Sequence, residues 1–146
     1  MGCGGRRNAV SARPSSFSAR WAHFYRRILP AYWIFLFCST HLPKLQLPGP
    51  QSSDKIAHTT AFGILALLIW RAFQSVYSRL SAAFVWKVLG VVAVYGAFDE
   101  ITQGFVGRGT DPEDWLGDMT GAAIVLGVLE WRRRARRDAR PAAAGR

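Results

Sequence analysis

Four apolar segments separated by short polar stretches constrain what this chain can fold into. They span about 28–42, 56–73, 82–106 and 115–131 of the 146 residues. Such segments are typical of helices that cross a membrane, where every backbone polar group must find its partner within the protein. The first and last are shorter than the roughly 20 residues of a usual crossing. The pattern predicts an all-α membrane protein, a bundle of four short transmembrane helices.

Basic residues flank these segments unevenly. Of the nineteen Lys and Arg, sixteen lie in the two terminal stretches or around the connection between the second and third segments (Arg71, Arg79 and Lys87), and the other side holds Lys44, Lys55 and Arg108. Short flanks rich in Lys and Arg stay in the cytoplasm. We therefore expect a multi-pass protein of the inner (plasma) membrane with both termini cytoplasmic. The basic tails, 1–27 and 132–146, are expected to be disordered and to flank one transmembrane domain, 28–131.

The net charge of +10 would suit nucleic-acid binding in a soluble protein, but here the positive charge flanks apolar segments. We therefore expect the lipid bilayer, and no nucleic acid, as a partner. The sequence has two cysteines, Cys3 and Cys38, which cannot form a disulfide framework, and it contains no Cys/His metal motif and no phosphate-binding loop.

Acidic residues gather on the side opposite to the basic flanks. Seven of the nine lie at or near the predicted outer ends of the second, third and fourth segments: Asp54, Asp99, Glu100, Asp111, Glu113, Asp114 and Asp118. Acidic residues hardly influence helix orientation, so this asymmetry is not a by-product of topology. A charge inside a bilayer is costly unless it has a partner. The pattern therefore indicates a polar site at one end of the bundle.

Polar residues also recur four positions apart in three segments: Asp54 with His58, Asp99 with Gln103, and Asp114 with Asp118. Residues at this spacing share one face of a helix, so three helices are each expected to offer a polar face to the same site.

Small residues indicate where helices approach one another. Glu100 continues a seam formed by Gly90, Ala93 and Ala97, and small residues line close contacts between membrane helices. This predicts that Glu100 faces inward. In the fourth segment, Gly117–Gly121 forms a GxxxG pair, which predicts a second close contact beside Asp118.

Several of these residues also have ordinary interpretations. Asp111 and Pro112 are typical of a helix start, with Asp111 as the N-cap and acidic residues in the first turn. His58 alone would more often be a hydrogen-bonded core residue, and Asp99 could be hydrated at the membrane interface. A further acid such as Glu100 needs an internal partner, and we predict that Arg108 supplies it as a coupled pair.

The order of the polar positions resembles a known family. The stretches "SDKIAH" at 53–58, "FDEITQ" at 98–103 and "DWLGDMTGAAIVLG" at 114–127 resemble the VanZ-like family of small bacterial membrane proteins. The resemblance covers roughly residues 28–131. The family's recurrent positions fall on Asp54, Lys55, His58, Asp99, Glu100, Gln103, Arg108, Asp114, Asp118 and Gly121.

The resemblance implies a role in the cell envelope but no settled reaction. The family's namesake is associated with low-level resistance to teicoplanin, a lipid-tailed glycopeptide antibiotic that acts outside the membrane. We therefore expect an integral membrane protein that modulates susceptibility to lipophilic glycopeptides, with the nine recurrent polar residues as its binding site. The position of Asp118 is often Asn in the family, so this chain has a charge there and lacks an amide donor.

Two other functions are alternatives. A membrane-embedded enzyme could modify an envelope lipid or a lipid-linked precursor, with His58, Glu100, Asp114 and Asp118 as catalytic candidates and Arg108 available for a phosphate headgroup. A proton-coupled transporter would also need titratable groups in the membrane, although four short helices leave little room for alternating access.

A metal ion held by His58, Glu100 and Asp118 is conceivable. Oxygen-rich clusters beside an arginine are more often hydrogen-bond networks, so we expect no metal and no cofactor. The expected partners are the bilayer and either a lipid-linked envelope precursor or a lipoglycopeptide. The sequence indicates no oligomeric state.

Overall fold

Four helices make up the fold. The computed structural model of the chain describes residues 16–42, 52–77, 81–107 and 111–143. The helices are α1 (Ser16–Thr40), α2 (Ser52–Val76), α3 (Ala83–Phe105) and α4 (Pro112–Ala143). The described residues contain no strand. The predicted all-α fold with four helices is confirmed.

Two helices extend by a dozen residues beyond the apolar segments that predicted them. Helix α1 begins at Ser16, and α4 continues to Ala143. Residues 16–27 and 132–143 are therefore helical, and the expectation that both tails are disordered was wrong for these parts. Backbone hydrogen bonds extend a helix as readily through Arg and Ala as through apolar residues, so hydropathy marks the predicted span and not the helix end. Residues 1–15 and 144–146 lie outside the described residues.

Of the described helices, one is long and apolar enough to cross a membrane by length and composition, over Lys55–Val76. Charged and amide side chains lower the hydropathy of the others, as Asp99, Glu100 and Gln103 do in α3. Length and hydropathy alone therefore give weak support to the predicted membrane topology.

Helix α2 lies at the centre of the bundle and pairs most extensively with α4. Its apolar face supplies Phe62, Leu65 and Ala66, each fully shielded from solvent. The core of the bundle consists of buried residues from all four helices: Leu36, Phe62, Leu65, Ala66, Ile69, Trp70, Val88, Val92, Tyr95, Ala122 and Leu126. Helix α1 joins this core where the Tyr32 hydroxyl donates to the carbonyl oxygen of Ala61 at 2.9 Å.

Glycines allow α2 and α4 to cross closely. A Cβ on Gly121 would collide with the Thr59 carbonyl, 2.8 Å from its carbon, and one on Gly117 would lie 3.2 Å from the Thr59 hydroxyl. From the other side, a Cβ on Gly63 would lie 3.3 Å from the carbonyl oxygen of Gly121. The close contact predicted at the GxxxG pair is confirmed. Its partner is α2.

The prediction that small residues form the contact face of α3 was wrong. Gly90 and Ala97 are exposed, and a Cβ on Gly90 would meet nothing within 4 Å. The buried face of α3 instead carries Val88, Val92, Tyr95, Gly96, Asp99, Glu100 and Gln103. Glu100 does face inward, as expected, but Gly96 is the glycine that permits a close approach. Large β-branched and aromatic side chains bury more apolar area than the seam would, so they define the contact face.

Local signals place the two helix ends that border the polar residues. The Asp111 side chain accepts a hydrogen bond from the Glu113 N–H at 2.9 Å and caps α4, whose first residue is Pro112. Helix α3 ends at Phe105, and Gly107 follows with a φ of 78°. Glycine adopts this left-handed conformation without the steric cost of a side chain, so it turns the chain back toward α4.

Candidate functional site

Polar side chains from all four helices meet at one end of the bundle, which we call the polar end. It comprises the C-terminal ends of α1 and α3 and the N-terminal ends of α2 and α4. At its rim, Lys55 of α2 forms an exposed ion pair with Glu113 of α4. Solvent weakens such a pair, so its contribution to stability is small. Beneath the rim lie two buried groups of polar residues.

The first group, the His58 cluster, consists of His58, Glu100, Asp114 and Asp118. Nδ1 of His58 hydrogen-bonds Oδ1 of Asp118 at 3.1 Å, and its Nε2 lies 4.0 Å from Oδ2 of Asp114. Both imidazole nitrogens therefore face carboxylates, and both of these come from α4. His58 and Asp118 are buried, whereas Asp114 is partly exposed. Because Asp114 and Asp118 are four residues apart, one face of α4 presents both to the same imidazole.

Glu100 approaches this cluster from α3. Its Oε2 accepts a hydrogen bond from the backbone N–H of Asp111 at 3.0 Å, which fixes the carboxylate against the start of α4. One side-chain ligand atom each from His58, Glu100 and Asp118 can be chosen so that all three lie within 4.8 Å of one another. The structure thus brings His58 and Asp118, which helical spacing placed on polar faces, together with Glu100, which was predicted to face inward. Arg108 lies outside the described residues, so its pairing with Glu100 stays a prediction.

The second group, the Asp99 cluster, joins α1 to α3. Asp99 is fully buried, and its two oxygens accept hydrogen bonds from the Thr40 hydroxyl at 2.8 Å and the Gln103 amide at 2.7 Å. Nε2 of His41 hydrogen-bonds the Thr102 hydroxyl at 2.8 Å. The alternative of a hydrated Asp99 at the interface was wrong, because the carboxylate is satisfied inside the protein.

Thr40 and His41 are site residues that the sequence analysis missed. They lie at the C-terminal end of the first apolar segment, in "CSTHLP". Polar residues at that position are common at helix ends and do not by themselves indicate a site. A signal was available: both residues fall on the same predicted side of the bundle as the acidic residues. Their role depends on which face of α1 meets α3, which periodicity in α1 does not reveal.

The remaining predicted site residues are distributed as follows. Lys55 is at the rim, and Gln103 supports Asp99. Asp54 belongs to α2, but its side chain lies outside the described residues. The structure therefore gathers the predicted residues that it describes into a rim and two clusters, and their roles in binding or catalysis stay predictions.

Two buried carboxylate oxygens in the His58 cluster are incompletely satisfied. Oε1 of Glu100 and Oδ2 of Asp118 have no hydrogen-bond partner among the described residues. A network that served only to hold helices together would be expected to pair such atoms, because an unpaired buried polar group is costly. The cluster is therefore chemically able to accept a proton, a cation or a hydrogen-bond donor from a ligand.

The fold and the site define a class of protein: a four-helix bundle with acidic, amide and imidazole side chains buried at one end. The chain belongs to the VanZ/LLP1 family, whose model matches residues 8–133. This match confirms the resemblance to the VanZ-like family and includes every residue of both clusters. Neither a curated protein nor a solved structure matches the chain significantly.

Proposed function

We propose that this VanZ-like protein is an integral plasma-membrane protein whose polar end faces outward and binds the headgroup of an envelope lipid or lipid-linked precursor. By occupying or sequestering such molecules it changes the susceptibility of the cell to lipophilic glycopeptides such as teicoplanin. The observation that carries this proposal is the distribution of side chains in the bundle: large apolar side chains are exposed and ionisable side chains are buried, the reverse of a soluble protein.

The inversion is pronounced. Large apolar side chains point outward from the bundle, including Phe105 at 83% exposure, Trp86 at 74% and Val94 at 73%. Asp99 and Asp118 are fully buried. Extensive exposure of large apolar side chains is typical of surfaces that contact protein or lipid, and ionisable residues in membrane bundles face the interior. This distribution supports a lipid environment for helices whose hydropathy alone is modest.

Topology is tested by thiol labelling in intact cells after Cys3 and Cys38 are replaced by serine. A cysteine at Leu47, between α1 and α2 in sequence, is expected to react with an impermeant reagent. A cysteine at Ser78, between α2 and α3, is expected to react only after the membrane is permeabilised, because Lys and Arg hold that side in the cytoplasm. Labelling at position 78 in intact cells would contradict the orientation.

Three features of the polar end support headgroup binding. Buried carboxylate oxygens of Glu100 and Asp118 remain available to a ligand. Lys55 at the rim carries a positive charge, which suits a phosphate. The rim of the bundle, at Glu113, is open to solvent, whereas the clusters beneath it are shielded. A lipid headgroup could therefore contact the rim without leaving the membrane surface.

A second function, enzymatic modification of the bound lipid, is favoured by the pairing of His58 with Asp118. An imidazole oriented by a buried carboxylate is a common general base, and a second carboxylate nearby can serve as general acid. Glu100 and Asp114 are both described carboxylates near the imidazole. The binding protein and the enzyme would therefore use the same residues. They differ in whether the lipid is released unmodified or chemically modified.

The experiment compares cells with and without the protein for teicoplanin susceptibility and for membrane-lipid and peptidoglycan-precursor profiles. We expect the protein to raise the inhibitory concentration of teicoplanin, and Glu100→Gln to abolish this increase at an unchanged protein level. Glu130→Gln is the matched control, because Glu130 is also a buried glutamate but pairs with Arg133 and Arg134 at the opposite end.

Each result decides between the candidates. A new or missing lipid species would favour the enzyme, and unchanged profiles with an altered susceptibility would favour binding. Equal susceptibility and equal profiles in all strains would contradict both functions. Loss of the Glu100→Gln protein from the membrane, with Glu130→Gln retained, would instead indicate a structural network.

A further inference from the structure

The His58 cluster contains an arrangement that a hydrogen-bond network does not explain. His58 of α2, Glu100 of α3 and Asp118 of α4 each offer a ligand atom, and these atoms lie within 4.8 Å of one another. All three side chains are buried, with exposures of 6%, 8% and 0%. Three helices that are distant in sequence thus deliver one nitrogen and two oxygen ligands to a single point.

The unsatisfied oxygens are on the same residues. Oε1 of Glu100 and Oδ2 of Asp118 are shielded from solvent and accept no hydrogen bond from any described residue. Gly96 packs closely against Oδ2 of Asp118, since a Cβ on Gly96 would lie only 3.2 Å from that oxygen. Two carboxylates that are buried together and incompletely paired require a compensating positive charge.

We propose that His58, Glu100 and Asp118 bind a divalent transition-metal ion, Zn²⁺ or Mn²⁺, between α2, α3 and α4. The charges of the three ligands balance one divalent cation, because they are two carboxylates and a neutral imidazole; the partly exposed Asp114 beside His58 adds further negative charge that favours a cation. The ligand set also fits, since imidazole suits zinc and carboxylates suit manganese. This inference deepens the proposed function by naming what the polar end offers to a lipid headgroup, and it rests on that function for its biological role.

Only a small adjustment would close the site. Ligand atoms about 2.0–2.2 Å from an ion lie roughly 3–3.5 Å from one another. The ligand atoms, at present within 4.8 Å of one another, would therefore have to move closer together to hold an ion. The Asp111 N–H already orients Glu100, and outer partners of this kind are typical of metal ligands. Three protein ligands leave at least one position on the ion open, toward which a phosphate oxygen of a headgroup could bind.

The alternative occupant is a proton shared between the carboxylates. It would neutralise one charge and satisfy one oxygen, but it would leave the other carboxylate buried with its charge. The two cases differ in measurable ways, because an ion contributes stability in proportion to its concentration and a shared proton does not respond to chelators.

The test uses the full chain purified in detergent without a polyhistidine tag, stripped with EDTA and dialysed. Zinc and manganese, and magnesium for comparison, are added separately, and metal content and melting temperature are measured. We expect about one equivalent of Zn²⁺ or Mn²⁺ per chain to survive gel filtration and to raise the melting temperature, with the better of the two identifying the ion. Failure of both ions to bind or to stabilise the unmodified chain would overturn the proposal.

Two variants locate the ion. Asp118→Asn and Glu100→Gln preserve side-chain shape and are expected to weaken binding by at least about tenfold. The controls are Glu113→Gln at the exposed rim and Glu130→Gln at the opposite end, and both are expected to bind as the unmodified chain does. Equal affinity in all four variants would show that the ion binds elsewhere and would overturn the assignment.

The outcomes separate this inference from the proposed function. Stoichiometric metal binding that depends on Asp118, without any change in susceptibility or lipid profile, would uphold the metal site and contradict the proposed function. A teicoplanin phenotype that is abolished by Glu100→Gln in a protein that binds neither ion would support the proposed function and contradict the metal site.

Discussion

Replacing Gly121 with alanine is expected to separate α2 from α4 and to lower the free energy of unfolding by about 3 kcal/mol. The added Cβ would be driven into the Thr59 backbone, 2.8 Å from the carbonyl carbon and 3.1 Å from Cα. Backbone atoms of a packed helix cannot rotate away as the end of a side chain can, so the two helices must move apart. This contact belongs to the most extensive helix pair in the bundle.

The matched control is Gly127→Ala in the same helix, where a Cβ would meet nothing within 4 Å. We expect it to raise the free energy of unfolding by up to about 1 kcal/mol, because alanine favours a helix interior over glycine. Melting temperature in detergent and the amount of protein in the membrane measure both variants. If Gly121→Ala were as stable as Gly127→Ala, the described crossing of α2 and α4 would be wrong.

Removing the Asp99 carboxylate is expected to have the second largest effect. Asp99→Ala deletes the acceptor of two buried hydrogen bonds, from Thr40 and Gln103, and leaves the Gln103 amide without that partner. Hydrogen bonds to charged groups are worth about 1.5–3 kcal/mol each, and a lipid environment reduces this, so we expect a loss of about 2–3 kcal/mol in total. Chemical denaturation in detergent would measure the loss.

A double-mutant cycle with Thr40→Val isolates the bond between α1 and α3. We expect the double variant to lose about 1 kcal/mol less than the sum of the single variants, because the hydrogen bond is lost only once. Glu113→Ala provides the comparison for an exposed acid and should cost under about 1 kcal/mol. Additive effects of Asp99→Ala and Thr40→Val would contradict the contact between these helices.

Much of the candidate site was predictable because its residues obey helical spacing. Asp114 and Asp118 share one face of α4, and both reach His58 in the structure. The charge asymmetry predicted that the acids on α3 and α4 lie at one end, and they do. Glu100 was also expected to face inward, although its true neighbours are larger than the small residues from which that was predicted.

Other parts of the site could not be predicted, since they depend on rotations of whole helices. The seam of small residues on α3 lies outside the buried face, and Gly96 makes the close approach to Trp115 and Asp118 instead. Thr40 was missed because nothing in α1 specifies which of its faces meets Asp99. A helix that is apolar on most sides has no single face that must be buried, so its sequence does not fix its orientation about its axis.

The sequence by itself determined that the chain forms four helices, that α4 begins at Pro112 behind an Asp111 cap, and that the described acids at the start of α4 and the end of α3 lie at one end of the bundle. These features follow from local hydropathy, capping and charge. The tertiary structure alone decided that Glu100 and Asp118 meet at His58 with two oxygens left unpaired, and that Thr40 satisfies Asp99. Such contacts depend on the crossing of α2 and α4 at Gly121 and on the rotation of α1 and α3, which are set by packing between residues far apart in the chain.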